Sequence, residues 1–172
     1  MGNTHAEVKS MKNHRPHHIG IIPDGNRRWA VAHGMPKEDG YQHGLKPGLM
    51  LLQQAKEAGI EEITYYGFTV DNCKRPKKQV SSFQKACVDA IDYLSSEGAD
   101  LLVIGNTESK CFPQELQKYT TRTAVHGGGI RLNFLVIYGW EWDLTHVRKD
   151  GFPYSSDISR IDLVIRWGGM RR

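Results

Sequence analysis

The sequence predicts an α/β domain: a mainly parallel central sheet flanked by helices. Two observations carry the class. Short apolar runs alternate along the chain with segments of helical period, the order that lays parallel strands beside crossover helices. The runs at 101–104 and 130–138 are also apolar at nearly every position, as strands covered on both faces require. With 172 residues, one domain buries roughly two-thirds of its unfolded surface, enough for a real core.

The elements follow in order. His18 to Ile22 is a short apolar strand ended by Pro23-Asp24-Gly25. Arg28 to His33 reads as one or two helical turns closed by Gly34, glycine being the usual residue just past a helix end. Gly48 to Ala58 carries Leu49, Leu52 and Ala55 on successive turns and stops at Gly59. Ile63 to Phe68 is a strand of β-branched and aromatic residues. Val80, Phe83, Cys87, Ile91 and Leu94 recur at helical spacing and make Gln79 to Ser95 the longest amphipathic helix. Leu101 to Ile104 is a strand, Pro113 to Thr123 a helix with proline at its first position, Ile130 to Tyr138 a strand, and Asp162 to Arg166 a last short strand.

Composition excludes several classes. Lys and Arg number 23 against 19 Asp and Glu, a net charge of +4 with both signs mixed, and 39% of residues are hydrophobic. That is a folding composition with a mild preference for anions. No basic run or known module points to nucleic acid. No stretch of ~18 apolar residues is present to span a membrane. The opening MGNTHAEVKSMKNHRPHH lacks an apolar segment, so it is no secretory signal, and Ala6 breaks the myristoylation pattern. Cys73, Cys87 and Cys111 form no CxxC pair, which suits reduced thiols and a cytoplasmic setting. Residues 1–16 read as a polar arm and 17–172 as a single domain. His14, His17 and His18 offer weak metal ligands there, against the plainer reading of a solvated terminus.

Ligands of an open parallel sheet sit at the carboxyl ends of strands, and three such ends share a vocabulary. Pro23-Asp24-Gly25-Asn26-Arg27-Arg28-Trp29, Phe68-Thr69-Val70-Asp71-Asn72-Cys73-Lys74-Arg75-Pro76 and Arg166-Trp167-Gly168-Gly169-Met170-Arg171-Arg172 each join small or polar residues to arginines. Together they offer Asp24, Asn26, Asn72, Arg28, Arg75, Arg166 and Arg172, a diphosphate site with room for Mg²⁺. Arginine forks suit phosphate oxygens, and a hard carboxylate suits Mg²⁺ bridged to phosphates.

HIGIIPDGNRRWA resembles the cis-prenyltransferase (undecaprenyl diphosphate synthase) signature HxAxIMDGNGRWA. YYGFTVDNCKRP resembles that family's TLYAFSxENWxRP, and DLVIRWGGMRR its DLxIRTGGExR. The resemblance covers essentially residues 17 to 172. It implies transfer of an allylic prenyl diphosphate, by default to isopentenyl diphosphate, giving a Z-prenyl diphosphate. It further implies Mg²⁺, a homodimer or heteromer, and at most peripheral membrane contact through the product. By position, the resemblance assigns catalysis to Asp24, Asn26 and Asn72, with Asp24 as metal ligand. Gly25, Asn26, Arg27, Arg28, Trp29 and Lys37 would surround the allylic diphosphate, with Tyr41 and Cys73 near its tail. Thr69 would stand by the reacting carbons, Arg75 would support that loop, and Arg166 and Arg172 would grip the second diphosphate. The long helix would line the product tunnel, with Phe83, Cys87 and Ile91 bearing on chain length.

Departures from the pattern motivate alternatives. Arg27 replaces Gly, Cys73 replaces Trp, Tyr41 replaces His, and Trp167 and Met170 replace Thr and Glu beside the expected second diphosphate. The Asn-Tyr-Gly-Gly element has become Ile137-Tyr138-Gly139-Trp140. The stretch from Trp142 to Asp162 is shorter than the family's pair of helices, and Arg172 precedes the family's RLSxFLxWQ region. One alternative is a member with another acceptor, a second allylic diphosphate or a hydroxyl. The other is a non-catalytic subunit of a heteromeric prenyltransferase.

Overall fold

In a computed structural model, which describes residues 15–168, β1 (His18–Pro23), β2 (Glu62–Thr69), β3 (Ala99–Ile104), β4 (Thr123–Val125), β5 (Ile130–Tyr138) and β6 (Leu163–Trp167) form one sheet. Its order is β4-β3-β5-β2-β1-β6. All pairings are parallel except β3 with β4. The helices are α1 (Asn26–Ala32), α2 (Gly40–His43), α3 (Leu45–Glu57), α4 (Lys77–Ser95) and α5 (Trp140–Thr145).

Right-handed crossovers put α1 to α4 on one face of the sheet and the 140–161 segment on the other. On the first face Ile19, Ile21, Ile63, Tyr65, Leu132 and Phe134 meet Leu52, Cys87, Ile91 and Leu94 in the main core. The apolar stripe expected on the long helix is the face that α4 buries. On the second face Leu102, Ile104 and Leu135 are covered by Tyr138, Trp142 and Ile158.

Beneath that cover runs a buried polar network. Asn133, fully buried, donates to Glu62 Oε1 at 2.6 Å and to the Thr64 hydroxyl at 2.9 Å. Arg122 reaches Asn133 Oδ1 at 2.7 Å, and Arg131 pairs with Glu62 at 3.2 Å. The His18 ring bridges the Thr64 hydroxyl (2.8 Å) and the Ser159 carbonyl (2.9 Å). Burial pushes the Glu62 carboxyl up, but hydrogen bonds from Ser159 and Asn133 and the charge of Arg131 outweigh it and hold it below its ordinary range. His18 therefore belongs to the strand and ties residues 157–162 to the sheet, rather than to a metal-binding arm. His17 faces Glu61 at 3.1 Å. His14 and the arm up to residue 14 lie outside the described residues.

The expected helix over Pro113 to Thr123 does not form. A 3₁₀ turn occupies Gln114–Tyr119, and the chain then enters β4, with Thr123 opposite Leu101. Thr120, Thr121 and Thr123 are β-branched and favour extended backbone. The Arg122 guanidinium pins the crossing by donating to the Asp100 carbonyl at 3.0 Å as well as to Asn133. The four-residue α2 was not expected. Among the described residues, no helix is long and apolar enough to cross a membrane.

Candidate active site

Connections leave β1 in opposite directions: the chain runs on to β2 on one side and returns as β6 on the other. The crevice at the carboxyl ends beside such a switch point is where α/β sheets hold ligands. Pro23, Thr69 and Trp167 end the three adjacent strands, so the three arginine-bearing segments converge. They enclose a cavity of about 850 Å³.

Asp24 lines it. Its Oδ2 accepts from Arg166 Nη2 at 2.6 Å, with Arg28 Nη2 at 3.5 Å. Arg166, which donates that hydrogen bond, is the main reason the Asp24 carboxyl lies below its ordinary range; partial burial opposes the shift, and the Gly25 amide and Arg28 reinforce it. Arg28 also donates to the Gly168 carbonyl at 2.6 Å. Gly25 (φ 96°) and Gly168 (φ 98°) both take left-handed backbone, and the two loops touch closely enough that a Cβ on Gly168 would strike the Asp24 carbonyl. Glycine at both positions is what lets the first and third segments interlock.

α1 opens from Gly25 with no side-chain cap and no acidic residue in its first turn, leaving the first amides of the helix to meet an anion. α2 packs on α1 through Gly40, whose Cβ would collide with the Asn26 carbonyl, and Gly44, whose Cβ would sit 2.9 Å from the Asn26 amide. These glycines seat Asn26 at the cavity wall. In β2 the register slips around Gly67. That bulge turns Phe68 into the main core, leaves Tyr66 on the other face of the sheet and ends the strand with Thr69 on the cavity. A 3₁₀ turn over Val70–Lys74 then presents Asn72, 8% exposed. Among the described residues its amide makes no side-chain hydrogen bond, and it lines the cavity. Arg75 donates to the Tyr41 hydroxyl at 3.0 Å and lies 5.6 Å over the Phe83 ring, which stacks on Tyr41 at 4.6 Å.

The structure thus brings Asp24, Gly25, Asn26, Arg27, Arg28, Lys37, Tyr41, Thr69, Asn72, Arg75 and Arg166 to one cavity wall. Five cationic side chains there (Arg27, Arg28, Lys37, Arg75, Arg166) face one carboxylate, a potential suited to two diphosphates. Trp29 lies off this wall, 41% exposed, stacked on His33 and tilted against His43. Cys73 also lies off it, packed against the core, its thiol pushed up to about 12 by burial and by Cys111. Arg172 and Met170 lie outside the described residues. Trp167 differs from expectation. It alternates with Arg166 on β6, so its indole faces the helix side, packs on the core and lines a second, apolar pocket of about 90 Å³. Phe83, Cys87 and Ile91 line that same pocket. Tyr66 and Gly67 also line the large cavity; a glycine inside a strand pattern was the available signal of a bulge.

Among the described residues, no three His, Cys, Asp or Glu side chains cluster as a protein-only metal cage. The donor set still fits Mg²⁺, which commonly takes one or two carboxylates and completes its shell with water and substrate phosphates. Asp24, kept ionised beside the anion cradle, is the residue that would hold it.

Comparison with known proteins agrees with this geometry. Residues 22–172 match the family profile described as putative undecaprenyl diphosphate synthase. The chain is 31% identical to a ditrans,polycis-undecaprenyl-diphosphate synthase ((2E,6E)-farnesyl-diphosphate specific) of Pectobacterium atrosepticum, over 91% of this chain and 72% of that one. It is 30% identical to an isoprenyl transferase of Clostridium perfringens, over 77% and 54% respectively. In fold it resembles the lavandulyl diphosphate synthase of Lavandula x intermedia, solved with dimethylallyl diphosphate, with a TM-score of 0.71, 22% identity, and coverage of 91% and 79%. A sheet whose switch point gathers a lone carboxylate among arginines, in a sequence matched along nearly its whole length, places this chain in the undecaprenyl diphosphate synthase family of prenyltransferases.

Proposed function

We propose that the chain binds an allylic prenyl diphosphate with its head on the Gly25–Arg28 turn and transfers the prenyl group to isopentenyl diphosphate, giving a Z-prenyl diphosphate. The observation that carries this reading is Asp24 set between Arg28 and Arg166 at the mouth of an otherwise cationic cavity. The helix-opening amides, Arg28 and Lys37 hold the leaving diphosphate. As the allylic C–O bond breaks, its electron pair passes to that diphosphate, and donors already aimed there stabilise the charge without reorganising. Mg²⁺ held by Asp24 and the phosphates would add Lewis-acid stabilisation of the same charge. Arg166 holds the second diphosphate, which brings the acceptor double bond to the allylic carbon near Thr69 and Asn72. The new C–C bond forms there, and the acceptor loses a proton to an oxygen of the departed diphosphate, which restores neutrality.

Trp167 turns away from this second diphosphate site, so the Thr-to-Trp change does not argue for another acceptor. A scaffold subunit has no use for a carboxylate kept ionised among five cations. The homodimer belongs to this reading as well; Leu163 and Val164, 46% and 56% exposed on the edge strand β6, are apolar surface for a second copy, and light scattering reads the mass. The reading is tested by pyrophosphate release with Mg²⁺. Release that requires both dimethylallyl or geranyl diphosphate and isopentenyl diphosphate, and is lost in Asp24→Asn, supports it. Release from the allylic diphosphate alone points to another acceptor.

A further inference from the structure

The large cavity and the small apolar pocket share Pro23, Asn26, Tyr41, Gly67 and Phe83. A prenyl tail whose diphosphate lies at Asp24 meets an apolar way onward through the neck between the stacked Tyr41 and Phe83 rings and Gly67. What lies beyond is small. The pocket of about 90 Å³ is well under the ~150 Å³ of a cavity that holds benzene, so it takes no more than one five-carbon unit. Its floor is fixed. The Tyr65 hydroxyl donates to the Gly48 carbonyl at 3.3 Å, the Tyr65 ring stacks on Phe134 at 5.2 Å, and Leu94 is buried against α3. Its side towards β6 is closed by the Trp167 indole.

Resting on the prenyl-transfer reading above, we propose that Trp167 is a specificity-determining residue: with the Tyr65–Leu94 floor, it limits the prenyl tail to about one unit beyond the cavity and makes the enzyme one of short chains. Trp167 pairs with Pro23 at the end of β1 and packs beside it. The same strand thus presents Arg166 to the diphosphate and Trp167 to the tail. The Thr of the resembled pattern is too small to close that wall.

The test is binding of unreactive thiolodiphosphate analogues with tails of five, ten, fifteen and twenty carbons, against inorganic pyrophosphate, by calorimetry. Two variants complete it. Trp167→Thr opens the wall. Gly48→Leu fills the pocket from α3, where a Cβ meets only Leu94, at 3.8 Å, and where leucine is the better helix former. For the native chain, affinity should rise about tenfold or more from five to ten carbons and change less than ~3-fold beyond, as burial of one further unit but no more requires. Trp167→Thr should extend the rise to fifteen carbons, and Gly48→Leu should abolish the first rise, with pyrophosphate binding equal in all three. A native affinity that climbs by equal steps through twenty carbons, a Trp167→Thr profile no different from the native one, or a first rise unchanged in Gly48→Leu overturns the inference and leaves the prenyl-transfer reading standing. Absence of binding by every analogue and by pyrophosphate overturns both.

Discussion

Arg166 donates to the Asp24 carboxylate across the switch point of the sheet, Nη2 to Oδ2 at 2.6 Å, although 142 residues separate them. The contact joins the ends of β1 and β6, which pair in parallel register with Ile22 opposite Arg166. The arginine neutralises the carboxylate within the chain itself. On the prenyl-transfer reading a diphosphate would compete with Asp24 for Arg166, and a bound cation would take the arginine's place on the carboxylate.

Asp24→Asn keeps the side-chain shape and removes its charge. Its effect should fall on kcat, about 10²–10³-fold, the size seen when one aimed electrostatic group is lost from a transition state. Because Asp24 is 28% exposed at the cavity mouth, the thermal midpoint should be nearly unchanged. Steady-state kinetics with a melting curve check both halves.

The Asp24 carboxyl lies below its ordinary 3.8 chiefly through the Arg166 hydrogen bond. Removing that donor in Arg166→Ala should raise its titration midpoint towards 3.8. The sign is definite: in the native chain the carboxylate survives to lower pH than in the variant. A ¹³C carboxyl titration reads the midpoint directly, without depending on turnover.

Gly168→Ala places a Cβ against the Asp24 carbonyl at a left-handed φ of 98°. The left-handed backbone alone costs ~1–2 kcal/mol for an L side chain. Relief requires the two loops to part, so the variant should lose affinity for both diphosphates. A substitution at Gly34, left-handed at φ 71° with nothing within 4 Å of its Cβ, should show only the backbone cost, and comparing the two variants by calorimetry separates strain from loop packing.

Glu62 is 3% exposed and held by Asn133, Arg131 and the Ser159 amide. Glu62→Ala leaves the Asn133 amide short of an acceptor, a loss of ~2 kcal/mol and so roughly 4–8 °C in Tm for a domain of this size. The Glu62 carboxyl is depressed below its ordinary 4.5. Its stabilisation is therefore complete above that value and lost as pH falls through the lowered one. Stability measured from pH 7 to pH 3 should fall less steeply in Glu62→Gln than in the native chain.

The sheet was legible where burial was total. Leu101–Ile104 of β3 announces itself by an unbroken apolar run, β5 by one broken only at Arg131 and Asn133, and α4 by apolar residues at helical spacing. Tertiary contacts overrode local signals elsewhere. Pro113 favours a helix, but Arg122 finds its partners on β3 and β5, 22 and 11 residues away and beyond the reach of a local signal. At Ile137 the backbone is left-handed, φ 53°, where the resembled pattern has Asn. The ~1–2 kcal/mol that conformation costs is offset by complete burial of the side chain, worth ~1.5–3 kcal/mol, and no local rule reveals that balance. Most site residues were readable because they sit at strand ends. The facing of Trp167 was not, since it depends on the register of β6, and the bulge at Gly67 hid how Tyr66 and Phe68 divide between the two faces.

Mass-resolved product analysis reads prenyl transfer at the Asp24 site without an indirect reporter. Purified chain with Mg²⁺, geranyl diphosphate and isopentenyl diphosphate should yield a prenyl diphosphate longer by one five-carbon unit, with its new double bond of Z geometry, and Asp24→Asn should yield almost none. Products unchanged by Asp24→Asn, or no product from a chain that a melting curve shows to be folded, would contradict the account.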